Sequence, residues 1–233
     1  MPNSVKNTTF VSLLDLIAPH SCRGCGCLGN ILCDRCKNNI ISSHINICPI
    51  CKTINPTGKC SRCSNFPPTF VVDEKSTLIG ELLQTYKYQS VRALAKPLAE
   101  ILFHILPQTP HKTQQIIVPL PTISKHIRER SFDHTYLIAK SLAKLSGPNC
   151  QVQKILLRNQ NTVQVGADRN TRLIQAKSAY TISPHIDIDP NATYILLDDV
   201  WTTGASMQSA IKKLQQAGAN NLKIAILALS RID

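Results

Sequence analysis

Apolar side chains recur along this chain at two periods. Between residues 76 and 106 they fall three and four apart, which predicts helices in "TLIGELLQTYKYQ" and "PLAEILFHIL", with Pro97 at a break between them. "HTYLIAKSLAKLS" at 134–146 has the same period and runs into Gly147 and Pro148, a helix stop signal. "SMQSAIKKLQQAG" at 206–218 repeats it. Between these lie short, nearly continuous apolar runs: "QIIVPLP" (115–121), "VQKILLR" (152–158), "ATYILLDD" (192–199) and "NLKIAILALS" (221–230). They read as buried strands, and "IVPLP" closes on a proline-rich loop. Strands alternating with helices predict an α/β fold, with a mostly parallel sheet and helices on both faces. A polar stretch covers 159–177. Near the start, Phe10, Leu13, Leu14 and Ile17 have helical spacing, so a short amphipathic helix is expected there.

The first quarter has neither period. Nine of the ten cysteines lie between 22 and 63, in four C-x-x-C pairs: Cys22/Cys25, Cys33/Cys36, Cys48/Cys51 and Cys60/Cys63. A C-x-x-C turn points two thiolates at one centre, and two turns complete a tetrahedral shell for zinc. The short gaps favour two sites, one from the first two pairs and one from the last two; interleaved pairing of first with third and second with fourth is the alternative. With four thiolates each, such sites have no open position for chemistry, so a structural role is expected in a segment too poor in large apolar residues to hold itself by burial. Cys27 and Cys150 read as non-ligand thiols. "NFPPTF" at 65–70 ends the segment, giving expected domains of 1–67, binding zinc, and 68–233.

Composition adds two constraints. With 43% hydrophobic and 17% charged residues the chain can bury a core and is not a disordered sequence. Its net charge of +12 is spread along both parts without a block of like charges, which favours polyanionic partners such as nucleic acid or phosphorylated metabolites. The apolar run at 10–18 is short and interrupted by Asp15, and no later run approaches the ~20 residues of a membrane span. A cytoplasmic protein without membrane insertion is expected.

"YILLDDVWTTGAS" at 194–206 carries the chemistry. Asp198 and Asp199 are expected at the carboxyl end of a strand, where open α/β sheets bind ligands. The turn after them leads into a helix, so its amides and dipole suit an anion. Thr202, Thr203 and Ser206 add hydroxyls, and Gly204 is expected to let the backbone approach closely. Carboxylates suit sugar hydroxyls or a magnesium ion, and the turn suits a phosphate; together they describe a ribose 5-phosphate. Two like charges at one strand end repel, so neutralising both acids is expected to leave the free fold as stable or more so.

This stretch resembles the 5-phosphoribosyl 1-pyrophosphate (PRPP) motif of type I phosphoribosyltransferases. The resemblance implies that Asp198 and Asp199 hold the ribose hydroxyls and that Thr202, Thr203, Gly204, Ala205 and Ser206 hold the 5-phosphate. Cysteine knuckles, then "YKY", then "VPLP" and "RERSF", then this motif, are similar to the ComF family of competence-associated proteins, from about Leu13 to Leu229. That family's usual E-R-G-F-N-Q reads Glu129-Arg130-Ser131-Phe132-Asp133-His134 here, and its later glutamine–arginine–asparagine pattern appears as Gln164, Arg172 and Gln175. The resemblance implies a phosphoribosyltransferase-like domain that binds PRPP with magnesium. It also implies a role in DNA uptake and natural transformation, with single-stranded DNA and a competence helicase or other DNA-processing proteins as partners. The pyrophosphate would lie by the loop after "VPLP", near Lys125, Arg128 and Arg130, with Lys87 a further cation. Arg130 is the first choice for a catalytic role because it matches the motif. His126 and His134 are single histidines, read as structural. Aromatic residues make up 5% of the chain, which points to DNA backbone contact over base stacking. The other reading is an active phosphoribosyltransferase of nucleotide or related metabolism, with an acceptor the sequence does not identify.

Overall fold

The computed structural model describes residues 20–109, 113–159 and 179–230. The expected helix at 10–17 and the motif residues Gln164, Arg172 and Gln175 lie outside these. A two-stranded ribbon, β1 (His20–Ser21) and β2 (Leu28–Gly29), leads into helix α1 (Asp34–Ser42). There follow β3 (Thr69–Glu74), α2 (Leu78–Tyr88), a 3-10 turn at Arg92–Leu94, α3 (Ala95–Ile105) and β4 (Gln115–Pro119). Next come α4 (Ser124–Arg130), α5 (His134–Ser146), β5 (Cys150–Val152), β6 (Leu156–Arg158) and β7 (Tyr180–Ile182). The domain closes with β8 (Thr193–Trp201), α6 (Ala205–Gln216) and β9 (Asn221–Leu229).

Five strands form one sheet in the order β3-β9-β8-β4-β5, every neighbouring pair parallel. A parallel sheet must be covered on both sides, and it is. Ile195 and Leu197 of β8 join the core made with α2, α3 and α5, while Tyr194 and Leu196 face Met207, Ala210 and Leu214 of α6. The expected α/β fold is the observed one.

Four details differ from the sequence reading. Pro97 is not at the break between helices: α3 begins at Ala95, and Pro97 lies in its first turn, where an N–H has no carbonyl partner. The run 152–158 is two strands in different sheets, since β5 pairs with β4 while β6 pairs antiparallel with β7. β8 continues two residues past the acids, to Trp201. β3 was not expected at all. It is an edge strand whose outer side is closed by the cysteine-rich segment: Asn46 Nδ2 donates to Thr69 O (2.9 Å), Val71 N–H donates to Asn46 Oδ1 (2.8 Å), and His44 Nδ1 lies 3.0 Å from Val72 O. These contacts satisfy backbone groups that a bare edge would expose. Cys22, Ile31, Leu32 and Ile40 share one core with α2 and α3, and Lys37 pairs with Glu100 at 2.5 Å. The cysteine-rich segment is thus packed against the sheet domain.

Candidate functional site

Successive strand residues point to opposite faces, and β8 applies this rule to the acid pair. The β4 ladder stops at Pro119 opposite Leu197, while β9 still pairs with Asp198 opposite Ile226. The acids therefore lie beyond the carboxyl end of β4 but inside β8, one toward each side of the sheet. The Asp199 N–H donates to Asp198 Oδ1 at 2.9 Å.

Asp199 is 6% exposed and faces α2 and α5. Its Oδ2 lies 2.5 Å from Lys87 Nζ, an ion pair, and 2.5 Å from His134 Nε2, and neither partner has ideal hydrogen-bond direction. His134 Nδ1 is 3.2 Å from Arg130 Nη1. A guanidinium can only donate, so Nδ1 is the acceptor and Nε2 carries the proton that faces Asp199. The Tyr86 hydroxyl donates to His134 O at 2.8 Å and anchors the start of α5. Arg130, whose guanidinium lies 5.4 Å from the Tyr88 ring centre, is thereby linked through His134 to the acid that Lys87 also holds. Burial works against the charge on Asp199, yet His134 and Lys87 overcome it and hold the carboxyl well below its ordinary range. Among the described residues Asp198 has no such partner at contact distance. Burial first, and the charge of Asp199 next, push it up to about 8. The repulsion expected between the acids is thus resolved by unequal ionisation, so the expectation that neutralising both leaves the fold as stable or more so does not follow from this packing.

Asp198 shares a small cleft with Thr202, Gly204 and Ser206. Ala205 opens α6 and Ser206 lies in its first turn, so the helix amides are close to the acid. Gly204 is required for a reason other than ligand approach. Its φ is +76°, and a Cβ there would come within 2.4 Å of the Trp201 ring, which lies across the turn. Phe66 meets that ring edge-on, with centroids 5.8 Å apart. Thr203 Oγ1 lies 3.4 Å from the Ala205 amide.

The expected cations are dispersed. Lys87 and Arg130 belong to the network on the Asp199 side, and Lys87 also lines a groove with Thr202. Arg128 is exposed on α4, and Lys125 is 3.8 Å from Glu129. Two residues that bear on the acids escaped the sequence reading. His134 was read as structural because a single histidine has no local signature. Arg158, at the end of β6, is after Lys87 the cation whose field reaches Asp198, and its Nη1 lies 3.3 Å from the Tyr180 hydroxyl; no motif marks it in the sequence.

The thiols gather as two clusters, Cys22, Cys25, Cys27 and Cys33 in one and Cys48, Cys51, Cys60 and Cys63 in the other, with sulfurs mutually within 4.8 Å. Neighbouring pairs are combined, and the interleaved alternative is not what forms. Both sets fit a zinc ion in donor type and number. Knuckle geometry supports them: the amides of Gly24 and Cys33 lie 3.4 and 3.3 Å from Cys22 Sγ, and Thr53 Oγ1 lies 3.0 Å from Cys51 Sγ. The amide of Cys27 is the largest influence lowering the Cys25 thiol to about 5, and the Thr53 hydroxyl leads in lowering Cys51 to about 6, which favours the thiolates a metal needs. In the first cluster Cys27 occupies the set where Cys36 was expected, while the Cys36 thiol stands beside Gly24, between Cys22 and Cys25 in the chain. No helix among the described residues is long and apolar enough to cross a membrane.

The molecule is thus a five-stranded parallel α/β domain with an acid pair beyond the carboxyl end of β4 and a packed segment carrying two four-thiol clusters. It is similar to Competence protein F of Haemophilus influenzae, at 24% identity over 221 residues that cover 84% of this chain and 95% of that protein. A scan of protein-family models finds no match.

Proposed function

We propose that this is a ComF-type protein that binds PRPP with magnesium and acts in DNA uptake during competence, with single-stranded DNA as its macromolecular ligand. The observation that carries the small-molecule part is the cleft that brings Asp198 together with Thr202, Gly204 and Ser206 at the start of α6. In this reading the helix amides and hydroxyls take the 5-phosphate, and Asp198 accepts from a ribose hydroxyl. Magnesium takes oxygen ligands, which Asp198 and the pyrophosphate would supply. Arg130 and Lys87 stand on the side where the leaving charge would develop, and Asp199 and His134 hold them there. The biological part rests on the similarity to Competence protein F and on the +12 charge. Zinc in the two thiol clusters would stabilise the segment that closes the β3 edge.

Calorimetric titration with PRPP and magnesium tests this. Saturable binding is expected, and Asp198→Asn should abolish it while the protein stays folded; absence of binding by the parent protein refutes the reading. The same mixture assayed for pyrophosphate release with candidate acceptors separates a ligand-binding protein from an active phosphoribosyltransferase, the reading that the cations around Asp199 also support.

A further inference from the structure

The two thiol clusters are unequal. The second consists of four thiols, whereas the first has four with a fifth, Cys36, beside its Gly24 turn. Cys22, Cys25, Cys27 and Cys33 form the compact set. Cys36 lies on α1, one turn after Cys33, and completes the second C-x-x-C pair. It also sits only 2.8 Å from where a Cβ on Gly24 would lie, so the chain leaves room for it between the two knuckles. Cys27 is exposed, whereas Cys36 is buried. Gly26, at φ +75°, turns the chain, and the Cys22 N–H donates to Cys27 O at 2.8 Å, holding Cys27 beside the group. Cys22, Cys25 and Cys33 therefore have two neighbours that could supply a fourth thiol, buried Cys36 beside Gly24 and exposed Cys27 within the compact set. A structural zinc ion takes four.

We propose that the first cluster is a five-thiol zinc site in which Cys22, Cys25 and Cys33 are constant ligands and the fourth position is exchanged between Cys36 and Cys27. As the incoming sulfur bonds to zinc, its thiol proton leaves to water; as the outgoing sulfur–zinc bond breaks, that thiolate takes up a proton. The site keeps four thiolates and its charge, and no oxidant is needed. One thiol is always free, exposed in one arrangement and buried in the other, and the metal tolerates the loss of either. The inference does not depend on PRPP or DNA binding.

Elemental analysis of the full-length protein, with X-ray absorption to count sulfur ligands, tests it. The parent protein should hold about two zinc ions in all-sulfur coordination. Cys27→Ser and Cys36→Ser should each retain about two, still with four sulfurs per metal. The double variant should fall to about one, as should Cys33→Ser. Loss of a zinc from either single variant would show a fixed fourth ligand and overturn the exchange, and so would retention of both ions by the double variant. A Cys36→Ser protein that cannot be recovered folded from zinc-supplemented cells counts against it too, because Cys27 should have substituted. An arm without mutation uses iodoacetamide on the native protein: the adduct at exposed Cys27 should keep both ions, and release of one on its formation overturns the proposal.

Discussion

Replacing Asp199 with asparagine removes the carboxylate that Lys87 and His134 share, and leaves a mostly buried ammonium without its counter-charge. The 2.5 Å contact to Lys87 corresponds to a gross attraction of about 7 kcal/mol at an effective dielectric of about 20. Most of that offsets the desolvation of two buried ions, but desolvation is not recovered when only one partner is neutralised. Breaking such a pair typically costs about 3–5 kcal/mol. For a domain of this size that is a fall in Tm of roughly 6–20 °C. Asp198→Asn should do the opposite. A carboxyl raised to about 8 in the fold, against about 4 in the unfolded chain, loses stability as pH rises between those values. The asparagine has no such slope, so its advantage over the parent should grow from about pH 5 to about pH 8. Asp199, with its folded value depressed, contributes stability that is present above the unfolded value and is lost only as pH falls further into acid. Thermal unfolding followed by circular dichroism at several pH values reads all three effects. Adding Lys87→Met to Asp199→Asn should recover part of the loss, since no buried charge is then left unpaired. If Asp199→Asn melts with the parent, or Asp198→Asn shows no pH-dependent gain, the unequal-acid description is wrong.

Other expectations follow from the same geometry. Gly204→Ala should cost at least about 1–2 kcal/mol from the left-handed backbone alone, and displacement of the only tryptophan in the chain, Trp201, should shift the fluorescence emission; an unshifted spectrum and unchanged Tm would contradict the close packing of the turn. Affinity for single-stranded DNA should fall with salt on a log–log plot with a slope of roughly −3 to −4 for about four to six phosphate contacts, with little dependence on base sequence; no binding at low salt would remove DNA as a direct ligand. Neutralising Lys125, Arg128 and Arg130 together should weaken PRPP and DNA binding alike if both use the α4 loop. Loss of PRPP binding alone would place the DNA elsewhere, on the segment carrying Arg35, Lys37, Lys52, Lys59 and Arg62.

Elements whose burial is one-sided or complete along a short run were legible from the chain itself. Helix α5 spans the expected 134–146 because its apolar stripe and its stop at Gly147 are local properties, and β4 and β9 show themselves as uninterrupted apolar runs. The combination of neighbouring cysteine pairs was legible in part too, because short spacings limit where the thiols can go. Edge strand β3 was not, since half its hydrogen bonding comes from Asn46 and His44, far back in the chain. The motif residues Asp198 and Asp199 could be found by pattern, but their different chemistry could not. Pleating sends them to opposite faces, and only the folded chain decides that Lys87 and His134 meet one while burial dominates the other. The same holds for Gly204, whose need for no side chain comes from the Trp201 ring folding back over it, and for Cys27, which a turn at Gly26 returns to the thiols it seemed to stand apart from. Periodicity records which side of an element is buried; which group waits there is a through-space fact that the tertiary structure alone settles.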